Sequence, residues 1–148
     1  MELRKPVLIL ALDHEDSASM MAGVLWMKGC EVYKAKTASD CLAQLERLDS
    51  KVDVVVVSAK IALDRNAMLI VSIKRLDMNI KILAIGDESN DKTRIIDYGA
   101  DEFALKPLSP ENVADKILML LARETVAENM TSDKLTDYFF PQLIGRIC

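Results

Sequence analysis

The stretch Val7-Leu-Ile-Leu-Ala-Leu12 is apolar at every position. Two further runs are apolar throughout or nearly so, namely Val54–Val57 and Ile80–Ile85, in which Lys81 is the one charged residue. Because successive side chains of a strand point to opposite faces, such runs predict strands that are covered on both faces, as in the middle of a parallel sheet. Two more polar segments, Glu31–Lys36 and Glu102–Leu105, suit strands at the edges of that sheet.

Helical patterns fill the gaps between these strands. Thr37 and Asp40 form a capping-box-like start, Ser109-Pro110 supply an N-cap and a first-turn proline, and Gly29 suits a helix C-terminus. The apolar positions with helical spacing are, in chain order, Met20, Met21, Val24 and Leu25; Cys41, Leu42, Leu45 and Leu48; Leu69, Ile73 and Leu76; Ile95 and Ile96; and Val113, Ile117, Leu120 and Leu121.

Five βα units in strict alternation predict an α/β fold, a three-layer sandwich with a five-stranded parallel sheet and helices on both faces. If the second and fifth strands are the edges, the strand order is 2-1-3-4-5, which is flavodoxin-like. Ligands of such folds sit beyond the carboxyl ends of the first and third strands. We therefore expect any site to lie among residues 12–16, 58–60, 86–89 and 106–107.

Composition narrows the class of protein. The 148 residues are 51% apolar and 28% charged, which is typical of one globular domain. No apolar run approaches the roughly 18 residues that a membrane span needs, and no signal-peptide pattern opens the chain. A net charge of −4 with scattered Lys and Arg disfavours nucleic-acid binding. The three cysteines lack metal-ligand spacing. We expect a cytoplasmic protein without a membrane or nucleic-acid partner.

The segment Tyr98-Gly-Ala-Asp-Glu-Phe-Ala-Leu-Lys-Pro107 resembles the fifth-strand signature of receiver domains, the CheY-like modules of two-component response regulators. That signature is a Gly-Ala pair, an aromatic residue, two apolar residues, then a lysine and a proline behind a cis peptide. The spacing from Asp13 to Gly29 and on to the third strand also fits the family. The resemblance covers about residues 7–123. It predicts a receiver-like domain over 1–123 and a C-terminal linker with an amphipathic extension over 124–148.

The resemblance implies one reaction, transfer of a phosphoryl group from a histidine kinase to an aspartate at the end of the third strand. Receivers hold Mg²⁺ with two acidic residues near the end of the first strand, and a lysine balances the charge of the transferring group. A Thr or Ser after the fourth strand then bonds the new phosphate, and an aromatic residue in the fifth strand takes part in the switch.

This chain keeps only part of that set. The lysine, the proline after it and the switch aromatic remain as Lys106, Pro107 and Phe103, whereas Ser58 stands at the acceptor position, Leu12-Asp13 replaces the acidic pair with Glu15 and Asp16 nearby, and Gly86 stands at the Thr/Ser position. A serine hydroxyl without an adjacent base is a poor nucleophile, and fewer carboxylates weaken Mg²⁺ binding. We expect no phosphorylation on aspartate, no required cofactor, and Mg²⁺ held weakly if at all, with Asp13 as its ligand. Lys106 is then expected to be structural and to pair with Asp13.

The resulting hypothesis is a pseudo-receiver, not an enzyme, that signals by protein–protein contact with a histidine kinase or an output protein. The family's usual contact surface corresponds to about residues 91–122, and a homodimer through that face or the tail is a further expectation. One alternative is a conventional regulator that is phosphorylated on a neighbouring acid such as Asp64. A weaker alternative is a flavodoxin-like small-molecule binder, although the loop Leu12–Asp16 is acidic and lacks glycine.

Three sequence features lie outside the family motif. The tail has an apolar stripe that should be buried on its own domain or across a dimer, formed by Leu135, Tyr138, Phe139, Leu143 and Ile147 and interrupted at Pro141. Trp26 is expected to pack on the sheet or on a neighbour. His14, the only histidine, is expected to be an exposed loop residue.

Overall fold

The computed structural model describes the backbone of residues 5–129 and the side chains of residues 5–122. Strands and helices alternate throughout this part of the chain. In chain order they are β1 (Val7–Ala11), α1 (Glu15–Met27), β2 (Glu31–Ala35), α2 (Ala38–Arg47), β3 (Val54–Ser58), α3 (Ala59–Leu76), β4 (Lys81–Gly86), α4 (Asp91–Tyr98), β5 (Glu102–Leu105) and α5 (Pro110–Asn129). The strands form one parallel sheet in the order β2-β1-β3-β4-β5. The predicted α/β fold and strand order are confirmed.

The sheet is covered on both faces, as its apolar middle strands require. Along β1, Leu8 and Leu10 belong to the core shared with α1 and α5. Ile9 and Ala11 belong to the core shared with α2, α3 and α4. All four side chains are fully buried, so each face of the sheet excludes water and the middle strands gain stability from both sides.

The predicted helix ends are confirmed by their hydrogen bonds. The Asp40 N–H donates to Thr37 Oγ1 at 3.0 Å, and the Lys36 N–H donates to Asp40 Oδ2 at 3.0 Å. At the start of α5 the Asn112 N–H donates to Ser109 Oγ at 3.1 Å. These bonds satisfy N–H groups that have no partner within their helices. Gly29 follows α1 with φ of 98°, a conformation that glycine adopts without strain.

Three apolar side chains do not take the inward positions predicted for them. Met20 is 66% exposed, Trp26 is 69% exposed and Leu76 is 53% exposed. α1 instead turns Ala18, Met21 and Leu25 toward the sheet. Met20 lies about 100° around the helix from Met21, so the two side chains cannot face the same layer. The expectation that Trp26 packs on the sheet is therefore wrong.

α3 is interrupted between two helical stretches. Asp64 has extended dihedrals, and Arg65, Asn66 and Ala67 have positive φ of 51°, 57° and 59°. Left-handed dihedrals are unfavourable for residues other than glycine. The break puts the exposed Asp64 outside regular helix, whereas Ala67 is fully buried, and α3 packs on the sheet on both sides of the break, through Ala62 and Ile70 among others.

The last described element crosses the predicted domain boundary. α5 continues to Asn129, so the first residues of the predicted linker are helical. The apolar stripe from Leu135 to Ile147 lies outside the described residues, and its burial stays a prediction. Within residues 5–129, no helix combines the length and the apolar character that crossing a membrane requires.

Candidate functional site

The carboxyl ends of β1, β3, β4 and β5 meet at two adjoining cavities of about 170 and 220 Å³. Asp13, Ser58, Ile85 and Lys106 line both of them. Parallel strands end at the same edge of a sheet, which is why residues so distant in sequence come together here. The candidate site therefore lies at the edge of the sheet where the sequence predicts it.

Ser58 lies at the centre of this site and is the last residue of β3. The residue is 4% exposed, and its Oγ has no hydrogen-bond partner among the described residues. It also precedes α3 directly, but its side chain does not cap that helix. No histidine or carboxylate therefore takes a proton from the hydroxyl, so the geometry does not activate Ser58 as a nucleophile.

Asp13 is the one residue of the predicted acidic group that lines the cavities. Its side chain is 25% exposed, and its Oδ2 lies 3.7 Å from Nε2 of His14. The His14 side chain is 70% exposed, in agreement with the expected loop position. Among the described residues no ion pair joins Asp13 to Lys106. The predicted Asp13–Lys106 pair is therefore wrong.

Glu15 and Asp16 are not brought into the cavities. Both lie in the exposed first turn of α1, where carboxylates interact favourably with the N-terminal end of the helix dipole. Oε2 of Glu15 lies 3.7 Å from Nζ of Lys36, near the end of β2. Neither acid lines the cavities beside Ser58, so neither compensates for Leu12.

The residues present do not fit the Mg²⁺ ion that receiver domains bind. Mg²⁺ takes oxygen ligands at near-ideal octahedral geometry and relies on carboxylates. Here Leu12 is nearly buried at 9% exposure, and Ser58 offers a neutral hydroxyl. Among the side chains of residues 5–122, no three of His, Cys, Asp or Glu converge as a metal site. Asp13 alone would bind Mg²⁺ only weakly.

Gly86 and Phe103 are packed against each other at the end of β4. A Cβ atom placed on Gly86 would lie 2.9 Å from Cβ of Ala59 and 3.1 Å from Cε2 and Cζ of Phe103. Phe103 is 7% exposed. The aromatic ring therefore fills the space that a Thr or Ser side chain would need, and any side chain at residue 86 would force neighbours to move.

Lys106 and Pro107 are held at the site by the backbone of β4. The Lys106 N–H donates to the carbonyl oxygen of Gly86 at 2.8 Å, and the peptide bond between Lys106 and Pro107 is cis. Lys106 is half-buried and lines both cavities, whereas Pro107 lines the smaller one. The motif at residues 98–107 thus places its lysine beside Ser58, as the resemblance implies.

Several lining residues were not singled out from the sequence. The larger cavity also has Lys60, Asp87, Glu88 and Asp91, and the smaller one has Ser17, Met21 and Leu108. Lys60, Asp87 and Glu88 fall within the segments 58–60 and 86–89 that the fold marks as site-forming. Asp64 lines neither cavity.

Comparison with solved structures finds receiver domains over most of the chain. The chain is 18% identical to the chemotaxis response regulator CheY4 of Vibrio cholerae, with 80% of this chain and 100% of that chain covered and a TM-score of 0.72. It is 16% identical to a response regulator receiver domain protein of Clostridium thermocellum, with 84% and 99% covered and a TM-score of 0.71. A CheY-like receiver domain protein of Methanospirillum hungatei is 23% identical, with 84% and 98% covered and a TM-score of 0.70. At these identities the likeness shows the fold.

The family comparison covers the same region. No curated protein matches the chain. The family model for the response regulator receiver domain matches residues 8–118, which include Asp13, Ser58, Lys106 and all five strands except Val7 at the start of β1. With a match over three quarters of its length, the chain belongs to the response regulator receiver domain family.

Proposed function

We propose that this receiver domain does not accept a phosphoryl group on aspartate and signals by contact with a protein partner. The observation that carries the proposal is the buried Ser58 at the acceptor position, with no base at its hydroxyl. In the family reaction a carboxylate oxygen attacks the phosphorus atom and forms an acyl phosphate, which is labile. A serine phosphate would be an ester, which lacks that lability.

Charge at the site supports the same proposal. Phosphoryl transfer depends on positive charge that stabilises the oxygens of the transferring group. Without a fitting Mg²⁺ site, Lys106 and Lys60 are the cations at the cavities, and Asp13, Asp87, Glu88 and Asp91 surround them. The acidic lining disfavours an incoming phosphate. We therefore propose that the domain is not an enzyme.

The packing of Gly86 and Phe103 supports signalling that does not depend on phosphorylation. Gly86 has no hydroxyl with which to bond a phosphate, and the buried Phe103 ring occupies the space beside it. A close-packed ring of this size leaves its site only at a cost in buried area and contacts. The domain should therefore present one surface to its partner under all conditions.

The partner is proposed to bind at α4, β5 and α5, the surface that receiver domains usually use. Three apolar side chains are exposed there, namely Tyr98 at 39%, Leu105 at 46% and Met119 at 56%. Exposed apolar side chains of this size favour a protein contact, either with a kinase or output protein or with a second copy.

A phosphoryl mimic tests this proposal. Beryllofluoride with Mg²⁺ forms a complex with an acceptor carboxylate that imitates the acyl phosphate. We expect ¹H–¹⁵N spectra of the full chain to be unchanged on its addition, because Ser58 supplies no carboxylate. Shifts of the amide signals of Ser58, Gly86 and Lys106 would contradict the proposal.

The two rival functions find less support. Asp64 is exposed and does not line the cavities that contain Lys106. Cavities that hold small-molecule ligands usually measure about 300–1,000 Å³, whereas those beside Ser58 measure about 170 and 220 Å³. Neither an Asp64 phosphate nor a small-molecule ligand at the ends of the strands is therefore favoured.

A further inference from the structure

The outer side of α1 carries three large apolar side chains in solvent. Met20 is 66% exposed, Trp26 is 69% exposed and Met27 is 82% exposed. Met20 and Met27 are seven residues apart and therefore lie on one side of the helix. Gly23 lies between them, and a Cβ atom placed on it would have no neighbour within 4 Å. This α1 face, formed by Met20, Gly23, Trp26 and Met27, is an open apolar surface with room for close approach.

α5 brings the end of the described chain to this surface. α1 and α5 pack side by side on the same face of the sheet, where Met21 and Leu25 share a core with Ile117 and Leu121. Both helices begin at the cavities and run back along the sheet in the same direction, because both follow parallel strands. Trp26 and Met27 therefore lie at the far end of α1.

The lengths of the two helices determine where the chain goes next. α1 has 13 residues and α5 has 20, which correspond to about 20 Å and about 30 Å. α5 thus runs about 10 Å beyond the Trp26–Met27 end of α1. In the 148-residue chain, 19 residues follow Asn129, and they can reach up to roughly 60 Å. That reach exceeds the length of α1 several times over.

The chemistry of these 19 residues matches the α1 face. They contain the apolar stripe from Leu135 to Ile147 at helical spacing. Their charged side chains are two acids, Asp133 and Asp137, and two bases, Lys134 and Arg146, which cancel. Packing the segment on α1 would therefore bury apolar surface from both sides without an unbalanced side-chain charge.

We propose that residues 130–148 pack their apolar side chains on the α1 face of the same chain. A second copy is a poorer occupant, because a stable dimer buries about 800 Å² on each partner. Even at the roughly 250 Å² of a large aromatic side chain each, three side chains supply less than that. A partner that uses α1 would first have to displace the segment.

Trp26 reports on this contact directly because it is the only tryptophan in the chain. The test compares the emission and the acrylamide quenching of Trp26 in the full chain with those of Leu135→Asp/Phe139→Asp. The control is Lys134→Asp, which makes the same change in charge away from the apolar stripe. We expect a red shift and stronger quenching in the double variant and no change in the control. A Trp26 that is equally accessible in all three proteins would overturn the proposal.

Cys148 distinguishes packing within one chain from packing between copies. Burial raises the pKa of the Cys30 thiol to about 11 and that of Cys41 to about 12, so both react slowly near neutral pH. A fluorescence acceptor can therefore be attached to Cys148. We expect energy transfer from Trp26 that persists on dilution and with an excess of unlabelled chain. Transfer that falls under either condition would overturn packing within the chain.

A substitution in α1 tests the same contact without changing the tail, so its result does not depend on whether the tail variant still folds. Met20→Lys/Met27→Lys changes only exposed side chains and leaves the core of α1 intact. We expect it to abolish the energy transfer from Trp26 to the acceptor on Cys148, and we expect the same of Leu135→Asp/Phe139→Asp. Met78→Lys, which alters a side chain that is 78% exposed beyond α3, should leave the transfer unchanged. Transfer that survives in the α1 variant would contradict the assignment of this face.

Discussion

The double substitution Leu12→Asp/Ser58→Asp is expected to raise the affinity of the chain for Mg²⁺ by at least about tenfold, or about 1.4 kcal/mol. Both positions adjoin Asp13 at the same cavity. Two added carboxylates would rebuild the cluster of hard oxygen ligands that Mg²⁺ prefers. Calorimetric titration with MgCl₂ measures the change.

The matched control for the Mg²⁺ experiment is Leu12→Asn/Ser58→Asn, which has similar side-chain volume without the charge. Leu12 and Ser58 are nearly buried, so the aspartate variant should lose stability in the absence of metal because three carboxylates repel one another. Its melting temperature should then rise with Mg²⁺, because a ligand that binds only the folded state stabilises it. Equal Mg²⁺ affinity in the aspartate variant, the asparagine variant and the parent would mean that residue 58 is not the acceptor position.

Gly86→Ala is expected to lower the free energy of unfolding by about 1–3 kcal/mol, the usual cost of overpacking a core. The added methyl group would lie 2.9 Å from Cβ of Ala59, and neither that atom nor the adjacent backbone can rotate away. Gly23→Ala, made in the Leu135→Asp/Phe139→Asp background in which the proposed tail contact is absent, is the matched control, because its methyl group would meet no described atom within 4 Å. Alanine there should raise the free energy of unfolding by about 0.5–1 kcal/mol. Urea denaturation measures both changes.

A second substitution identifies the contact responsible. Phe103→Leu removes the ring atoms that would lie 3.1 Å from the new methyl group. In the background of Gly86→Ala it should cost less stability than it does in the parent, which a double-mutant cycle detects as a coupling energy. If Gly86→Ala is as stable as the parent, then Phe103 is not confined by the glycine, and the argument for one fixed surface fails.

The fold could be predicted from the sequence because its determinants are local. Apolar runs predicted β1, β3 and β4. Thr37 and Ser109 predicted the starts of two helices, because their side chains accept hydrogen bonds from backbone N–H groups. The break in α3 could not be predicted, because Arg65, Asn66 and Ala67 include no glycine or proline. Three consecutive residues with positive φ go against the usual backbone preference of residues other than glycine, so no local sequence pattern indicates the break.

The site could be predicted only in part. The strand ends that bring Asp13, Ser58 and Lys106 together follow from the topology. The prediction of an Asp13–Lys106 ion pair was wrong, because two residues that line the same cavity need not be close enough to form an ion pair. The need for glycine at residue 86 also could not be predicted from the sequence. The residue nearest to its added methyl group is Ala59, which is distant in sequence and follows β3.

The central claim is that the chain does not form an acyl phosphate, and the intact mass of the protein after incubation with acetyl phosphate and MgCl₂ tests it most directly. With Ser58 at the acceptor position and Leu12 in the acidic pair, we expect the mass of the full chain to remain unchanged. A gain of one phosphoryl group that is lost in mild base would show that a carboxylate still accepts phosphate, and it would contradict the account.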